Sequence, residues 1–110
     1  MVSHLSRAEV VRRRSASPAP ILVEALDPLL YAAVHLPGAV NVPPDRVDAL
    51  APAVLPDKQA PIIVYCASRT CTGAHHVIER LLELGYSRVD HYQDGKQDWI
   101  AAGLPVERGA

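Results

Sequence analysis

The sequence contains no phenylalanine, and its aromatic side chains are four tyrosines and one tryptophan among 110 residues. So little aromatic surface provides no platform on which nucleic-acid bases could stack. An excess of charge is also missing, because eleven Lys and Arg residues oppose twelve Asp and Glu residues and leave a net charge of -1. Such a balanced chain has no strong field to attract nucleic acid or an anionic membrane surface. We therefore expect neither of them as a partner.

Long apolar runs and a cysteine framework are absent as well. The longest apolar runs, such as residues 61–65, are far shorter than the roughly 20 residues that span a bilayer. The basic cluster at residues 12–14 is followed by Ser-Ala-Ser-Pro and not by an apolar stretch, so we predict no secretory signal. Two cysteines are too few for a disulfide-built scaffold. We expect one domain over residues 1–110, located in the cytoplasm.

The apolar residues that are present follow short alternating elements. Ser6 and Glu9 fit a capping box, which predicts a helix over residues 7–14, and residues 1–20 then form an N-terminal helix and a loop leading into the first strand. Strands are predicted at residues 21–23, 39–42, 61–65 and 88–92, and helices at residues 27–33, 45–54 (with Asp45 as the cap), 74–82 and 97–102. This alternation indicates an α/β domain with a mainly parallel sheet.

The loop after the central strand carries the residues best suited to chemistry. Residues 61–65 form a continuous apolar run, typical of a strand buried on both faces, and Cys66 is the first residue after it. In a parallel sheet, sites form where strands end and helices begin. The loop amides and the helix N-terminus would therefore point towards one thiol, favour its thiolate form and bind an anion. The sequence predicts a nucleophile and an anion pocket in one loop.

Four segments in order resemble the rhodanese-like (sulfurtransferase) family. They are residues 21–23, residues 35–43 with the pattern HxPGAxxxP, residues 62–66, and residues 94–106 with the pattern GxxxWxxAGxPV. The resemblance implies a rhodanese-like domain with a mainly parallel central sheet of about five short strands flanked by helices. It also implies that Cys66 is the catalytic residue and that the loop binds the substrate anion through Ala67, Ser68, Arg69, Thr70, Cys71 and Thr72.

The activity implied by this resemblance is sulfur transfer. Cys66 would take a sulfane sulfur from thiosulfate or a persulfide donor, become a persulfide, and pass the sulfur to a thiol or to cyanide. A protein could also be the sulfur acceptor. Arg69 could help to recruit the anionic donor, or it could be a solvated loop residue. No metal or organic cofactor is required.

The sequence departs from the family pattern after the first predicted strand. Many members have Asp-Val-Arg there, whereas this chain has Glu24, Ala25 and Leu26. Glu24 keeps a carboxylate that could reach the loop, but Leu26 cannot replace an arginine. This departure weakens the expectation of thiosulfate turnover and keeps open a non-catalytic or redox-sensing module that docks a partner.

Further residues in and around the same loop bear on three other kinds of chemistry: phosphate transfer, disulfide formation and metal binding. Phosphatases related to this fold need an arginine separated from the cysteine by five residues, and Thr72 occupies that position, so phosphatase chemistry is disfavoured. Cys71 could be a resolving thiol that forms a disulfide with Cys66, or a small, partly buried apolar residue. A zinc site from Cys66, Cys71 and either His75 or His76 lacks a clear fourth ligand. Gly95 is either a turn residue or a point of close backbone approach.

Overall fold

The computed structural model describes residues 2–109 as alternating short strands and helices around one sheet. In chain order they are β1 (His4–Leu5), α1 (Arg7–Arg14), β2 (Ile21–Glu24), α2 (Pro28–Ala33), β3 (Val40–Asn41), a 3-10 turn (Pro44–Arg46), α3 (Val47–Val54), β4 (Ile62–Tyr65), α4 (Gly73–Glu83), β5 (Val89–Tyr92) and α5 (Gly95–Ala101). None of the helices in this described part of the chain is both long and apolar enough to cross a bilayer.

The sheet has five strands in the order β1-β5-β4-β2-β3, and every neighbouring pair is parallel. This confirms the predicted α/β class. All four residues of the central strand β4 are buried, as expected for a parallel strand covered on both faces. Glu24 at the end of β2 pairs in register with Tyr65 at the end of β4. The next residues, Ala25 and Cys66, therefore leave the sheet side by side.

Helices cover the two faces of the sheet. Ile62 and Val64 point to the face covered by α3 and α4, where they pack with Val77 and Leu81. The intervening Ile63 points to the opposite face, with Val10 of α1 and Trp99 of α5. The period-two alternation of β4 thus supplies both cores. The fully buried Trp99 donates its indole N–H to the carbonyl oxygen of Pro105 at 2.8 Å.

Most predicted elements occur within a residue or two of their expected ends. Helix α1 has the predicted bounds, and Ser6 and Glu9 form the capping box. One expectation is wrong. Asp45 does not cap α3, because it lies inside the 3-10 turn and Arg46 is the residue before the helix. Helix α5 begins at Gly95, two residues before the predicted start, and the two-residue strand β1 was not predicted because it is too short to show a period.

Candidate active site

Cys66 lies at the carboxyl edge of the sheet, as the first residue after β4, and is 2% exposed. Its Sγ is 3.6 Å from the carbonyl oxygen of Ala25, which follows the neighbouring strand. The start of α4 packs against the same sulfur, because a Cβ placed on Gly73 would be 3.3 Å from Sγ and only 2.7 Å from the Ala25 oxygen. Only glycine fits there without moving the backbone. The cysteine therefore sits where two strand ends meet a helix start.

The second cysteine of the loop is bonded to the first. The Sγ atoms of Cys66 and Cys71 form a disulfide, and their Cα atoms are 6.1 Å apart. This separation is within the 4.4–6.8 Å range that disulfides require. A turn brings Cys71 back, since its N–H donates to the carbonyl oxygen of Ser68 at 3.2 Å. The loop thus has the geometry that a resolving thiol needs.

Several amides of the loop remain available to a ligand. Among the hydrogen bonds of residues 2–109, none is donated by the backbone N–H groups of Ala67, Ser68, Arg69, Thr70 or Thr72. The hydroxyls of Ser68 and Thr70 are 3.2 Å apart and bond to one another. A short loop with five such donors beside a cysteine can accept an anion.

Arg69 at the rim of the loop is held by a carboxylate. Its Nε and Nη2 lie 2.9 and 2.8 Å from Oδ1 of Asp94, the residue before α5. Both side chains reach solvent, with 65% of the Arg69 side chain and 35% of the Asp94 side chain exposed. An anionic ligand at the loop would compete with Asp94 for this guanidinium.

The start of α5 fixes the first residues of the loop. The backbone N–H groups of Lys96 and Gln97 donate to the carbonyl oxygens of Cys66 and Ala67 at 2.9 and 2.8 Å. Gly95 has a φ of +74°, and a Cβ there would be 2.6 Å from the Cys66 oxygen. Close backbone approach, one of the two roles expected for Gly95, is therefore what the structure shows. These main-chain hydrogen bonds hold the loop in place, and the side chains in the sequence give no indication of them.

Glu24, which replaces the aspartate of the family pattern, does not reach the loop with its side chain. Its fully buried carboxylate accepts from the hydroxyl of Tyr65 at 2.7 Å and from Nζ of Lys96 at 2.9 Å. Lys96 also donates to the carbonyl oxygens of Leu30 and Val34. Burial raises the pKa of Glu24, and the hydrogen bonds from Tyr65 and Lys96 oppose that rise. The carboxylate is thus bonded to the side chains of Tyr65, which precedes Cys66, and Lys96, whose N–H donates to the Cys66 oxygen, and Leu26 packs against the core.

The two histidines at the start of α4 face different neighbours. The ring of His75 lies 4.8 Å from that of His91 on β5, whereas His76 lines a surface groove with Arg46 and Arg80. Across residues 2–109, no three His, Cys, Asp or Glu side chains are grouped closely enough to hold a metal ion. The zinc arrangement considered for Cys66, Cys71 and one of these histidines is thus not formed.

Three residues around the site were missed by sequence reasoning. Asp94 binds Arg69, Lys96 is buried with Glu24, and Gly73 makes room for Cys66 Sγ. Asp94 and Lys96 flank Gly95, the first residue of the GxxxWxxAGxPV pattern. Their position just after the last predicted strand was the feature of the sequence that could have placed them near the site. Nothing in the sequence indicated that Lys96 would be buried.

Comparison with known proteins gives a family and two curated relatives. The Rhodanese-like domain family matches residues 7–102. The chain is 36% identical over 107 residues to an HTH-type transcriptional regulator of Mycobacterium tuberculosis, covering 96% of this chain and 45% of that protein. It is 32% identical over 98 residues to the thiosulfate:glutathione sulfurtransferase of Saccharomyces cerevisiae, covering 78% of this chain and 68% of that protein. The chain thus spans about half the length of the regulator and two thirds of the enzyme.

Solved structures with the same fold include two rhodanese-type proteins. A rhodanese with anions from E. coli has a TM-score of 0.68 and 27% identity, covering 83% of this chain and all of that one. A thiosulfate sulfurtransferase from Pseudomonas aeruginosa has a TM-score of 0.79 and 26% identity, covering 99% of this chain and 20% of that one. The fold expected from the four motifs is therefore confirmed.

Proposed function

The chain belongs to the rhodanese-like domain family, and on that premise we propose that it is a sulfurtransferase in which Cys66 carries the sulfur. One observation carries the proposal: Cys66 lies at the carboxyl edge of the sheet in a loop with five backbone N–H groups that no acceptor in residues 2–109 occupies. A thiolate and an anionic donor need such donors at the same place. The relative named thiosulfate:glutathione sulfurtransferase supports the same chemistry.

The first half-reaction loads the cysteine. The Cys66 thiolate attacks the outer sulfur of thiosulfate, the sulfur–sulfur bond of the donor breaks, and sulfite leaves with the electron pair. The product is a Cys66 persulfide anion, so charge is balanced on both sides. The loop amides bind the donor and then the terminal sulfur, and Arg69 attracts the dianion when it releases Asp94.

The second half-reaction removes the sulfur from the Cys66 persulfide. A thiolate or cyanide attacks the outer sulfur of the persulfide, the bond to Cys66 Sγ breaks, and the Cys66 thiolate is restored. A protein persulfide donor and a protein thiol acceptor would react by the same steps. The disulfide between Cys66 and Cys71 must be reduced before either half-reaction, because a bonded sulfur is no nucleophile.

Mass spectrometry of the intact, reduced protein after brief exposure to thiosulfate tests the proposal. We expect a gain of one sulfur atom in the wild type and none in Cys66→Ser. The Cys71→Ser variant is the matched control, because it removes the other thiol of the same loop and should still gain the sulfur. A wild type that gains nothing, or a Cys66→Ser protein that gains as much, would overturn the proposal.

A redox-sensing module is the second candidate, favoured by the disulfide itself. Peroxide would oxidise the Cys66 thiolate to a sulfenic acid, with the oxygen–oxygen bond broken and hydroxide released. The Cys71 thiol would then attack that sulfur, and water would leave as the disulfide forms. The relative named as a transcriptional regulator is consistent with such a role.

The two functions differ in the reagent with which Cys66 reacts, peroxide for a sensor and thiosulfate for a sulfurtransferase. A sensor should form the Cys66–Cys71 disulfide with one equivalent of peroxide within minutes, and should gain no sulfur from thiosulfate. Alkylation of free thiols followed by mass spectrometry measures both products in one sample. Slow disulfide formation that needs a large excess of peroxide would contradict the sensor and leave the sulfurtransferase intact.

A further inference from the structure

Cys71 has no task in the two half-reactions proposed above, although its sulfur reaches the reacting atom. Its Sγ is bonded to Sγ of Cys66, and the two Cα atoms are 6.1 Å apart. In a Cys66 persulfide, the Sγ of Cys66 is the inner sulfur, which joins the sulfane sulfur to the protein. Cys71 is therefore placed to attack the inner sulfur, whereas an acceptor from solution attacks the outer one.

The inner sulfur is shielded from solvent. Cys66 is 2% exposed, and its Sγ lies 3.6 Å from the carbonyl oxygen of Ala25. A Cβ placed on Gly73 at the start of α4 would be 3.3 Å from the same sulfur. A molecule from solution would have to displace these neighbours in order to reach Sγ, whereas Cys71 packs against the same core. At this atom, burial favours a thiol of the loop over a thiol from solution.

The loop holds the two cysteines close together. They are five residues apart, and the N–H of Cys71 donates to the carbonyl oxygen of Ser68 at 3.2 Å. The other end of the loop is fixed by the N–H of Lys96, which donates to the Cys66 oxygen at 2.9 Å. A nucleophile held in this way reacts without a separate binding step. Attack within one loop is thus favoured over attack between two protein molecules.

The loop also has donors for a leaving group at Cys66. Five backbone N–H groups of the loop donate to no acceptor within residues 2–109, namely those of Ala67, Ser68, Arg69, Thr70 and Thr72. Cleavage of the persulfide at Sγ places negative charge on the departing sulfur, and amide donors beside it stabilise that charge. The donors proposed to bind thiosulfate therefore also favour the departure of a small sulfur anion.

We propose that the loop reduces the sulfane sulfur to hydrosulfide, with Cys71 as the resolving thiol. Sγ of Cys71 attacks Sγ of Cys66, and the bond between Sγ and the outer sulfur breaks. The outer sulfur leaves as hydrosulfide with that electron pair and the proton of the Cys71 thiol. The two cysteines are oxidised by two electrons and the sulfane sulfur is reduced by two. This inference rests on the proposed sulfurtransferase function, which supplies the persulfide.

Continued turnover by this route requires a dithiol reductant. The step closes the Cys66–Cys71 disulfide, and thiol–disulfide exchange with a dithiol returns both cysteines to thiols. A thiol or cyanide at high concentration removes the outer sulfur before Cys71 reacts, and no hydrosulfide is then released from the loop. The concentration of the acceptor thus decides between sulfur transfer and sulfur reduction.

Decay of the loaded protein in the absence of any acceptor tests this proposal. Reduced wild type and Cys71→Ser are loaded by brief exposure to thiosulfate, freed of small molecules and kept without oxygen, while a nitrogen stream carries hydrogen sulfide into zinc acetate. The wild type should lose the gained sulfur, end two hydrogen atoms lighter than the reduced protein and release one equivalent of hydrogen sulfide. Its rate should not change with protein concentration. Cys71→Ser should keep its sulfur at least about tenfold longer.

The products separate the possible failures. A wild-type persulfide that is stable until glutathione or cyanide removes its sulfur would overturn this inference and leave the sulfurtransferase function intact. A decay rate proportional to protein concentration would also overturn it, as would a disulfide formed without hydrogen sulfide or an equal decay in Cys71→Ser. The wild-type results do not depend on the folding of the variant. A wild type that never gains sulfur would overturn the sulfurtransferase function, and this inference with it.

Discussion

In the proposed mechanism, Arg69 attracts the anionic donor at the rim of the loop, where its guanidinium is already paired with Asp94. Replacing Asp94 by Asn should lower the thiosulfate concentration for half-maximal persulfide formation by about two- to threefold, because the guanidinium no longer has a competing carboxylate. Arg69→Ala should raise that concentration by a similar factor. Stopped-flow loading of the reduced protein measures both, with Asp57→Asn as a control for loss of a surface charge. If neither variant changes the concentration, the loop amides bind the donor without Arg69.

Lys96 is a buried cation whose charge is matched by Glu24. Lys96→Met would leave the fully buried Glu24 carboxylate without its cation, and we expect a loss of about 3–5 kcal/mol in the free energy of unfolding at neutral pH. Urea denaturation measures the loss. The double variant Glu24→Gln with Lys96→Met should recover most of it, because no buried charge remains.

The same variant has a defined pH dependence. Burial raises the pKa of Glu24 above its ordinary value of 4.5, and removing Lys96 raises the pKa further. As the pH falls through that raised value, folded Lys96→Met binds a proton that the unfolded chain does not yet bind, so the deficit relative to wild type shrinks. A deficit that is equal at pH 7 and pH 5 would show that lost packing, and not an unpaired charge, causes it.

The contact between α5 and the loop depends on one glycine. Gly95→Ala puts a methyl group 2.6 Å from the Cys66 oxygen, whereas Gly103→Ala, at the same φ of +74°, meets nothing within 4 Å. Both variants should lose about 1–2 kcal/mol to backbone strain, but only Gly95→Ala should also displace the loop and slow persulfide formation. Thiosulfate loading and urea denaturation of the two proteins separate these effects. Equal loading rates would mean that the loop tolerates the displacement.

Elements with many regularly spaced apolar residues were predictable, and elements fixed by long-range contacts were not. A capping box predicts helix α1, and a continuous apolar run predicts strand β4. Strand β1 exists because two residues pair with β5 from the far end of the chain, and no local pattern encodes that. The site divides in the same way: Cys66 follows from its place after a buried strand, whereas the pairing of Lys96 with Glu24 joins residues 72 positions apart.

Stability of the whole molecule should depend on His91, which is buried on β5 between His4 of β1 and His75 of α4. Its Nδ1 is 3.0 Å from Nδ1 of His4 on β1, and its ring lies 4.8 Å from that of His75 on α4. Burial, with the nearby His75 and His4, lowers the pKa of His91 to about 4 from its ordinary value of 6.5. In the unfolded chain the same group regains its ordinary pKa, so the unfolded state binds a proton that the folded state rejects between these values.

The sign of the resulting pH dependence is therefore fixed. The contribution of neutral His91 is fully present above pH 6.5 and is lost as the pH falls towards 4, by about 1–3 kcal/mol in the free energy of unfolding. Urea denaturation at a series of pH values should show a smaller loss for His91→Asn, which cannot titrate, than for wild type. The control is His76→Gln. It removes an exposed histidine that is not among the ring neighbours of His91, and it should follow the wild-type curve. Identical curves for wild type and His91→Asn would assign the acid sensitivity to carboxylates elsewhere in the fold and would contradict a role for His91.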